Sequence, residues 1–203
     1  FDNSKSKDFK AKYHLGDKAI LFFGRIAQEK NLEVLIEGFT KAWEKESDLQ
    51  LLIIGDGPLR KTLQKQINLL PVSGNIIFAG AIPHEELIKS GVFKACWLCA
   101  TASKTENQPM TILEAQVNGM VCIGAKAKGI PDLIIHDENG ILFSADSTDE
   151  ISDAILKLYG DETLFDMYKK NTLKRIKQHM LTTTTEIWEN TYTEVIKNYK
   201  EGL

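Results

Sequence analysis

Residues 19 to 31 read AILFFGRIAQEKN: an apolar run stops at Gly24, Arg25 follows at once, and Lys30 comes just before a segment with helical periodicity. Short apolar runs rich in aromatic and β-branched residues are typical of buried strands. Beyond Lys30, apolar residues recur at intervals of three and four, which predicts an amphipathic helix with one buried side. The stretch therefore predicts a strand, a positively charged loop and a helix, in that order.

Five more apolar runs of this kind follow along the chain, at residues 49–55, 75–80, 95–101, 120–125 and, more weakly, 140–144. Near-continuous hydrophobicity without alternation is typical of a parallel sheet covered on both faces, and the segments between the runs supply the crossover helices. Ser147 and Glu150 form a capping box that predicts a helix extending to about Tyr159. We therefore predict an α/β fold: a Rossmann-like, doubly wound, parallel six-stranded sheet with helices on both faces, followed by C-terminal helices.

The composition is that of an ordinary globular protein. The chain has 203 residues, of which 43% are hydrophobic and 26% charged, and its formal net charge is -3. Because there is no basic excess, nucleic acid is not expected as a partner. No apolar stretch approaches the roughly 20 residues that a membrane-spanning helix needs, and the lysine-rich N-terminal segment is unlike a signal peptide.

The three cysteines are odd in number, which argues against a disulfide framework. Cys96 and Cys99 form a C-x-x-C motif. Residues three apart on a strand point to opposite faces, so we interpret the two as packed thiols rather than as a redox or zinc site.

The last segment carries an apolar stripe, because Trp188, Tyr192, Val195 and Tyr199 fall on one face of the helix predicted there. Two interpretations remain open at this point. The stripe either covers the core of this domain or packs against a surface outside the chain.

The loops after the first and fourth predicted strands are the expected functional site, because ligands of open parallel sheets bind where the strand order reverses. The first loop holds Gly24, Arg25 and Lys30, and the second spans residues 103–109. Two cations beside a helix start form an anion site, since a helix N-terminus offers free N–H groups and a partial positive charge. A diphosphate is the expected occupant.

Two glutamates accompany this predicted anion site. Pro109 suits the first position of a helix, so Glu106 would lie in the loop and Glu114 inside the helix. A carboxylate can accept hydrogen bonds from two adjacent hydroxyls of a sugar ring. Two such groups flanking a patch of N–H donors suit a ligand with a sugar at each end and phosphates between, which describes a nucleotide sugar. None of the four histidines is placed to suggest a catalytic base.

Five segments occur in a recognisable order between about residues 18 and 144: FFGRIAQEKNLEVLIEGF, LLIIGDGPLRKTL, IIFAGAIPHEEL, ATASKTENQPMTILEAQVNGM and GIPDLIIHDENGILF. This ordered set resembles the C-terminal, donor-binding domain of retaining glycosyltransferases of family 4 (group 1), which have the GT-B fold. The resemblance implies transfer of a hexose from a nucleoside diphosphate sugar to a glycan or lipid-linked acceptor, in the synthesis of cell-envelope polysaccharide or glycolipid.

The resemblance also implies roles for individual residues. Arg25 and Lys30 would hold the diphosphate and stabilise the leaving nucleotide, while Glu106 would contact the donor sugar and Glu114 the ribose. The expected catalytic set is therefore Arg25, Lys30 and Glu106. The remaining donor contacts are Gly24 beside the phosphates, the backbone N–H groups from Asn107 through Gln108 and Pro109 to Met110, and Gly80, Ala81 and Ile82 beside the base. Pro109 stands near a position where the family often has glycine, and it donates no N–H, which weakens the phosphate contacts expected there.

The implied organisation is a linker from a preceding domain at residues 1–17, a nucleotide-sugar-binding domain at 18–180, and a C-terminal helix at 181–203 that packs toward the preceding domain. The acceptor would bind to that preceding domain, through which alone the protein would meet a membrane. On this view the chain by itself binds donor weakly and transfers nothing.

We expect no cofactor and no metal. The chain has no D-x-D triplet, a motif that holds a metal on the phosphates in the other major glycosyltransferase architecture. Fixed cations would replace the metal by stabilising the charge that develops on the departing diphosphate. A UDP-sugar is the expected donor, and the expected location is the cytoplasm, including the inner face of the membrane.

Three alternatives come from other classes. A dinucleotide-dependent oxidoreductase is suggested by the G-x-G of Gly55 and Gly57 after a strand, but the third glycine of that motif is replaced by Arg60. A non-hydrolysing sugar-nucleotide epimerase shares the GT-B architecture, but the paired glutamates indicate transfer. A binding module that has lost catalysis is the third alternative, although the presence of all four charged site residues argues against it.

Overall fold

The computed structural model describes residues 3–179 and 181–200. Six strands are present: β1 Ala19–Phe23, β2 Gln50–Ile54, β3 Ile76–Gly80, β4 Leu98–Thr101, β5 Val121–Ala125 and β6 Gly140–Phe143. The helices are α1 Asn3–Tyr13, α2 Leu32–Trp43, α3 Arg60–Ile67, α4 His84–Lys89, α5 Val92–Ala95, α6 Met110–Val117, α7 Ile130–Leu133, α8 Thr148–Gly160, α9 Glu162–Arg175 and α10 Leu181–Lys200. Residues 1, 2, 180 and 201–203, which belong to the three predicted segments, lie outside the described residues.

The six strands form one sheet in the order β3-β2-β1-β4-β5-β6, and every neighbouring pair is parallel. This confirms the predicted Rossmann-like sheet. The order reverses between β1 and β4, so the loops that follow these two strands lie side by side at the carboxyl edge. The fold therefore brings together the two loops in which the sequence predicted the site.

The sheet is buried on both sides. Every residue of β1 and β5 is buried, and successive side chains of a strand point to opposite faces, so helices must cover both faces. The fourth predicted run starts too early, because residues 92–95 form α5 and β4 begins only at Leu98. An apolar run without alternation does not reveal where a buried helix ends and a buried strand begins.

Helix α8 packs against α2, the first crossover helix of the sheet. A Cβ added to Gly38 of α2 would lie 2.6 Å from side-chain atoms of Ile151 of α8, so the two helices approach closely at this glycine. The predicted cap of α8 is present in part. Ser147 Oγ accepts a hydrogen bond from Glu150 N at 3.2 Å, whereas the Glu150 carboxylate turns away from the cap and accepts from Ser144 N and Oγ.

The N-terminal segment, predicted at residues 1–17 to be a linker from a preceding domain, contains a helix. Its residues 3–13 form α1, Phe9 of this helix is buried, and a Cβ on Gly91 would lie 2.6 Å from Ser6 N. Helix α1 therefore packs directly on the domain. Because Phe9 is its main buried contact and most of its other residues are polar, the sequence carries little signal for this helix. Its connection to a preceding domain stays a prediction.

Helix α10 leaves three residues of its apolar stripe exposed, and the side chain of the fourth, Tyr199, lies outside the described ones. Trp188, Tyr192 and Val195 are all exposed, and the rings of Trp188 and Tyr192 stack with centroids 5.7 Å apart. The described part of the stripe therefore does not cover the core of this domain, which was the first of the two interpretations; packing on another domain stays a prediction. None of the helices described is long and apolar enough to cross a membrane.

Candidate functional site

A cavity of about 410 Å³ opens at the carboxyl edge of the sheet. Its walls come from the loops after β1, β2 and β3 and from helices α4 and α6, with these lining residues: Phe23, Gly24, Arg25, Ile54, Gly55, Asp56, Ala81, Ile82, His84, Leu87, Thr111 and Glu114. Both apolar and charged groups line it, as expected of a small-molecule site at a topological switch point.

Two glycines of the GDG turn after β2 fit directly against the loop after β1. A Cβ on Gly55 would lie 1.8 Å from the carbonyl oxygen of Gly24, and one on Gly57 would lie 2.2 Å from that of Ile26. Gly24 and Gly55 also have φ angles of 146° and 147°, which side chains rarely allow. These glycines are thus explained by the packing of one loop on the other, without a dinucleotide.

Arg25 lines this cavity from the loop after β1. Hydrogen bonds from Ile26 N to Asp56 O and from Leu59 N to Ile26 O hold the backbone next to it, at 2.9 and 3.2 Å. Among the residues that the structure describes, the guanidinium of Arg25 has no ion pair or hydrogen bond. The cavity therefore contains a cation whose counter-charge must come from solvent or a ligand.

Lys30 and Glu106 form an ion pair, although they are distant in sequence. The cause is the carbonyl oxygen of Glu29, which accepts hydrogen bonds from Ser103 Oγ and Lys104 N, both at 3.2 Å. These bonds tie the loop after β4 to the turn that ends at Lys30. Neither residue of the ion pair lines the cavity, so the predicted catalytic set is divided between two neighbouring regions.

The loop that carries Glu106 is braced from its other side by the turn before α7. Gly129 N donates to Glu106 O at 2.8 Å, and a Cβ on Gly129 would lie 1.9 Å from Asn107 O. The backbone around Glu106 is therefore held on two sides. Asn107 and Gln108 themselves are exposed.

Helix α6 begins one residue later than predicted, because Pro109 is its N-cap and Met110 its first residue. Pro109 O accepts from Ile112 N and Leu113 N. The N–H groups of Met110 and Thr111 make no hydrogen bond with any described residue. These two N–H groups are the unpaired donors at the helix N-terminus, where partial positive charge favours an anion.

Glu114 lies on α6 and lines the cavity. Its Oε1 lies 3.1 Å from His84 Nε2, while its Oε2 is buried and has no hydrogen-bond partner within the described part of the chain. A buried acceptor without a partner is costly. Glu114 therefore combines a place in the cavity lining with a buried acceptor that has no partner among the described residues.

A second ion pair marks the side of the cavity nearest β3. Arg60 Nη1 donates to Asp56 Oδ2 at 3.1 Å, and the Arg60 guanidinium lies under Gly80, whose Cβ would be 3.7 Å from it. The hydrogen bond from Gly57 N, followed by that from Arg60, holds the pKa of the Asp56 carboxyl below its usual range. Arg60 stands at the third-glycine position of a dinucleotide motif and has a different role here.

The predicted site residues divide into two groups. Gly24, Arg25, Ala81, Ile82 and Glu114 line the cavity. Those outside its lining are Lys30, Gly80, Glu106, Asn107, Gln108, Pro109 and Met110. Sequence reasoning missed the other seven lining residues, of which Asp56, His84 and Thr111 are polar and stand in the segments that carry the family resemblance. Contacts of all these residues with a donor stay predictions.

The cysteines behave as packed thiols. Cys96, Cys99 and Cys122 are free and buried, and burial raises the pKa of the Cys96 thiol to about 12. Within residues 3–179 and 181–200 there is no group of three or more His, Cys, Asp or Glu side chains that could hold a metal. Independence of metal remains a prediction.

Comparisons with known proteins agree with this architecture. N-acetyl-alpha-D-glucosaminyl L-malate synthase of Bacillus anthracis is 26% identical over 188 residues, which are 92% of this chain and 48% of the relative. The chain thus spans about half the length of that protein.

Solved structures share the fold. HepE of Anabaena in complex with UDP and glucose has a TM-score of 0.82 at 22% identity, covering 95% of this chain and 53% of that one. The C-terminal domain of LpcC, a group 1 glycosyl transferase of Francisella tularensis, has a TM-score of 0.75 at 24% identity, covering 87% and 93%. The family model described as "Glycosyl transferases group 1" matches residues 3–175. The chain therefore belongs to the group 1 glycosyl transferases and is one Rossmann-like half of their GT-B architecture.

Proposed function

We propose that the chain is the donor-binding half of a retaining glycosyltransferase that takes a hexose from a nucleoside diphosphate sugar. The observation that carries the proposal is the cavity lined by the unpaired cation Arg25, by Glu114, whose buried Oε2 has no partner among the described residues, and by Thr111 at the start of α6. A diphosphate matches the cation and the helix, and a sugar hydroxyl matches the carboxylate.

The diphosphate would lie between Arg25 and the start of α6, where Met110 and Thr111 offer backbone N–H groups. Charge-assisted hydrogen bonds of this kind are short and strong, and a guanidinium can bind two phosphate oxygens at once. Pro109 removes one N–H donor from the loop, so Arg25 carries more of the diphosphate binding than it would in a chain with glycine there.

The ribose would lie against Glu114 and the base beside Ala81 and Ile82, which line the same cavity. The second carboxylate, Glu106, would then contact the transferred sugar together with Lys30. UDP is the proposed nucleotide, supported by the fold shared with HepE, which was solved with UDP and glucose.

The proposed transfer depends on charge that develops during the reaction. As the bond to the sugar breaks, the anomeric carbon becomes cation-like and the diphosphate gains negative charge. Arg25 and Lys30 would bind the diphosphate more strongly at that moment and so lower the barrier. Two unit charges about 4 Å apart at an effective dielectric of 20 interact by about 4 kcal/mol, so even part of this difference changes the rate by orders of magnitude.

The same cations would make a metal unnecessary. The acceptor, a glycan or a lipid-linked sugar, would bind to the preceding domain, and any contact with a membrane would be made there. The reaction would take place in the cytoplasm. For the 203-residue chain alone, we propose donor binding without transfer.

Calorimetric titration of the chain with UDP, UDP-glucose, GDP, ADP and NAD tests the proposal. We expect binding of nucleoside diphosphates, with UDP or UDP-glucose bound most tightly, and the same affinity after treatment with a chelator. Tight binding of NAD with no response to any nucleoside diphosphate would overturn it. Loss of UDP binding after chelation would overturn only the metal-independent part.

A transfer assay separates the enzyme from a binding module. The chain joined to its preceding domain should release UDP from UDP-glucose in the presence of acceptor, and the chain alone should not. If the joined protein binds UDP-glucose but Arg25→Ala leaves its turnover unchanged, the catalytic role is wrong and binding alone remains.

A further inference from the structure

The wall of the cavity contains a histidine that the proposed donor contacts do not use. His84 is the first residue of α4, and Pro83 O accepts a hydrogen bond from Leu87 N at 2.9 Å in the first turn of this helix. Leu87 is buried. The backbone of His84 is thus fixed by its helix, while its ring contacts Glu114 of α6.

Among the described residues, the ring of His84 forms a hydrogen bond only with the carboxylate of Glu114. The distance from Nε2 to Glu114 Oε1 is 3.1 Å. An ionised carboxylate can only accept, so the imidazole donates from Nε2. His84 is also the only described residue that bonds to this carboxylate, since Asn118 bonds to the backbone carbonyl of Glu114.

The two side chains differ in exposure. The side chain of His84 is 63% exposed and that of Glu114 only 22%. A free glutamate side chain has three rotatable bonds, and fixing them when a ligand binds costs conformational entropy. A carboxylate already held through Oε1 keeps one orientation before the ligand binds.

We propose that His84 is a positioning residue for ribose recognition: it holds Glu114 through Oε1 and so orients the carboxylate that accepts a ribose hydroxyl. This inference rests on the function proposed above. It adds that the loop beside the base and the residue beside the ribose are linked by one hydrogen bond. Discrimination between ribose and deoxyribose should therefore depend on His84 as well as on Glu114.

The test uses three ligands and four variants of the 203-residue chain. Calorimetry gives the Kd of UDP, 2′-deoxy-UDP and inorganic pyrophosphate for the parent chain and for His84→Ala, His84→Gln, Glu114→Ala and Glu85→Gln. The glutamine at position 84 can still donate an N–H to Glu114. Glu85→Gln changes an exposed neighbour on the same helix and is the matched control, and urea unfolding checks that every variant is folded.

We expect the parent chain to prefer UDP over 2′-deoxy-UDP by about tenfold, the effect of one hydrogen bond to a charged group. His84→Ala should weaken UDP by about fivefold, leave 2′-deoxy-UDP and pyrophosphate nearly unchanged, and thus remove most of the preference. His84→Gln should restore most of it, and Glu85→Gln should have no effect.

Two outcomes distinguish this inference from the proposed function. If Glu114→Ala removes the ribose preference and His84→Ala weakens UDP and 2′-deoxy-UDP equally, or not at all, the positioning role is wrong while Glu114 keeps its place. If the parent chain binds UDP with no ribose preference, the assignment of Glu114 fails and the role of His84 fails with it.

Discussion

Two cations lie in neighbouring parts of the carboxyl edge of the sheet, and they differ in whether they have a partner of opposite charge. Arg25 lines the cavity and has no partner among the described residues, whereas Lys30 is bound to Glu106 outside the cavity lining. The side chains of Lys30 and Glu106 are each 20% exposed. The positive charge of Arg25 is therefore available to an anion, whereas that of Lys30 is already neutralised by Glu106.

The difference teaches that the two cations should contribute unequally to binding. An anion that approaches Arg25 displaces only water, but one that approaches Lys30 must compete with a carboxylate. A partly buried ion pair is costly to break when one partner is left without a counter-charge. Lys30 should therefore act on the diphosphate only when the donor sugar occupies Glu106, which would tie charge stabilisation to the presence of the sugar.

The largest expected effect comes from removing the unpaired cation. Arg25→Ala should weaken UDP binding by about 100-fold, or about 2.7 kcal/mol, because charge-assisted hydrogen bonds to phosphate are lost from a site with no replacement. Calorimetry measures the change. Lys45→Ala removes one positive charge from the opposite edge of the sheet and should change Kd by less than about twofold. Equal losses in both variants would mean that only net charge matters.

The next test substitutes the two glycines that pack against the loops of Arg25 and Glu106. Gly55→Ala would place a Cβ 1.8 Å from Gly24 O, and Gly129→Ala would place one 1.9 Å from Asn107 O. Each should lower the free energy of unfolding by about 2 kcal/mol, since backbone must shift in both cases. Urea unfolding provides the measurement, with Gly74→Ala as the neutral control, because nothing lies within 4 Å of a Cβ there.

If the two regions are separable, the folded Gly55→Ala chain should lose UDP affinity and the folded Gly129→Ala chain should keep most of it. Loss of UDP binding in both variants would show that the loops around Arg25 and Glu106 move as one unit, which would contradict the comparison.

Releasing Lys30 from its partner should give an effect that depends on the ligand. Glu106→Gln should tighten UDP by about threefold, because Lys30 becomes free to bind phosphate, and weaken UDP-glucose by about threefold, because a contact to the sugar is lost. Two titrations with one variant suffice. A weakening of both ligands by the same factor would indicate that Glu106 acts only on the fold of its loop.

The smallest expected effect is on the stability of the fold at Asp137, which belongs to neither of the two regions and serves as a reference. Hydrogen bonds from Lys157 and then Tyr168 hold the pKa of the Asp137 carboxyl below its usual range. Asp137→Asn should cost about 0.5 kcal/mol at neutral pH, since the Asp137 side chain is 53% exposed. Asn tolerates the φ of 59° at this position.

The pH dependence of that cost follows from the direction of the shift. A carboxyl with a lowered pKa in the folded state stabilises the fold above its unfolded pKa of about 3.9, and the contribution is lost as pH falls through the folded pKa. The difference in unfolding free energy between parent and Asp137→Asn should be constant from about pH 5 to 8 and shrink below about pH 4. The UDP affinity of Asp137→Asn should match that of the parent.

The sheet could be predicted from the sequence because its strands are buried on both faces and read as separate apolar runs. The position of Arg25 followed from the same pattern, since a strand that ends at Gly24 places the next residue at the carboxyl edge. Helix α1 could not be predicted, because Phe9 is its one fully buried apolar residue in the described range.

The partners of the charged residues were beyond the sequence. Lys30 meets Glu106 because the Glu29 carbonyl binds the loop after β4, and no residue pattern encodes a contact made through a backbone oxygen. The role of His84 could not be predicted, because a lone histidine at a helix start usually faces solvent and its contact with Glu114 depends on how α4 and α6 are placed in the fold.

The contact between α2 and α8 bears on how this chain is made. Lys41 Nζ donates to Thr148 Oγ1 across 107 positions of sequence, and the two helices meet at Gly38. During synthesis, the side of α2 that α8 covers stays exposed until the last strand and the helix after it have left the ribosome. Closing the chain between such distant segments costs conformational entropy before their contacts can form, and this slows folding. For most of its synthesis, the chain thus exposes the side of α2 that α8 later covers. Exposed apolar surface of this kind is what chaperones bind.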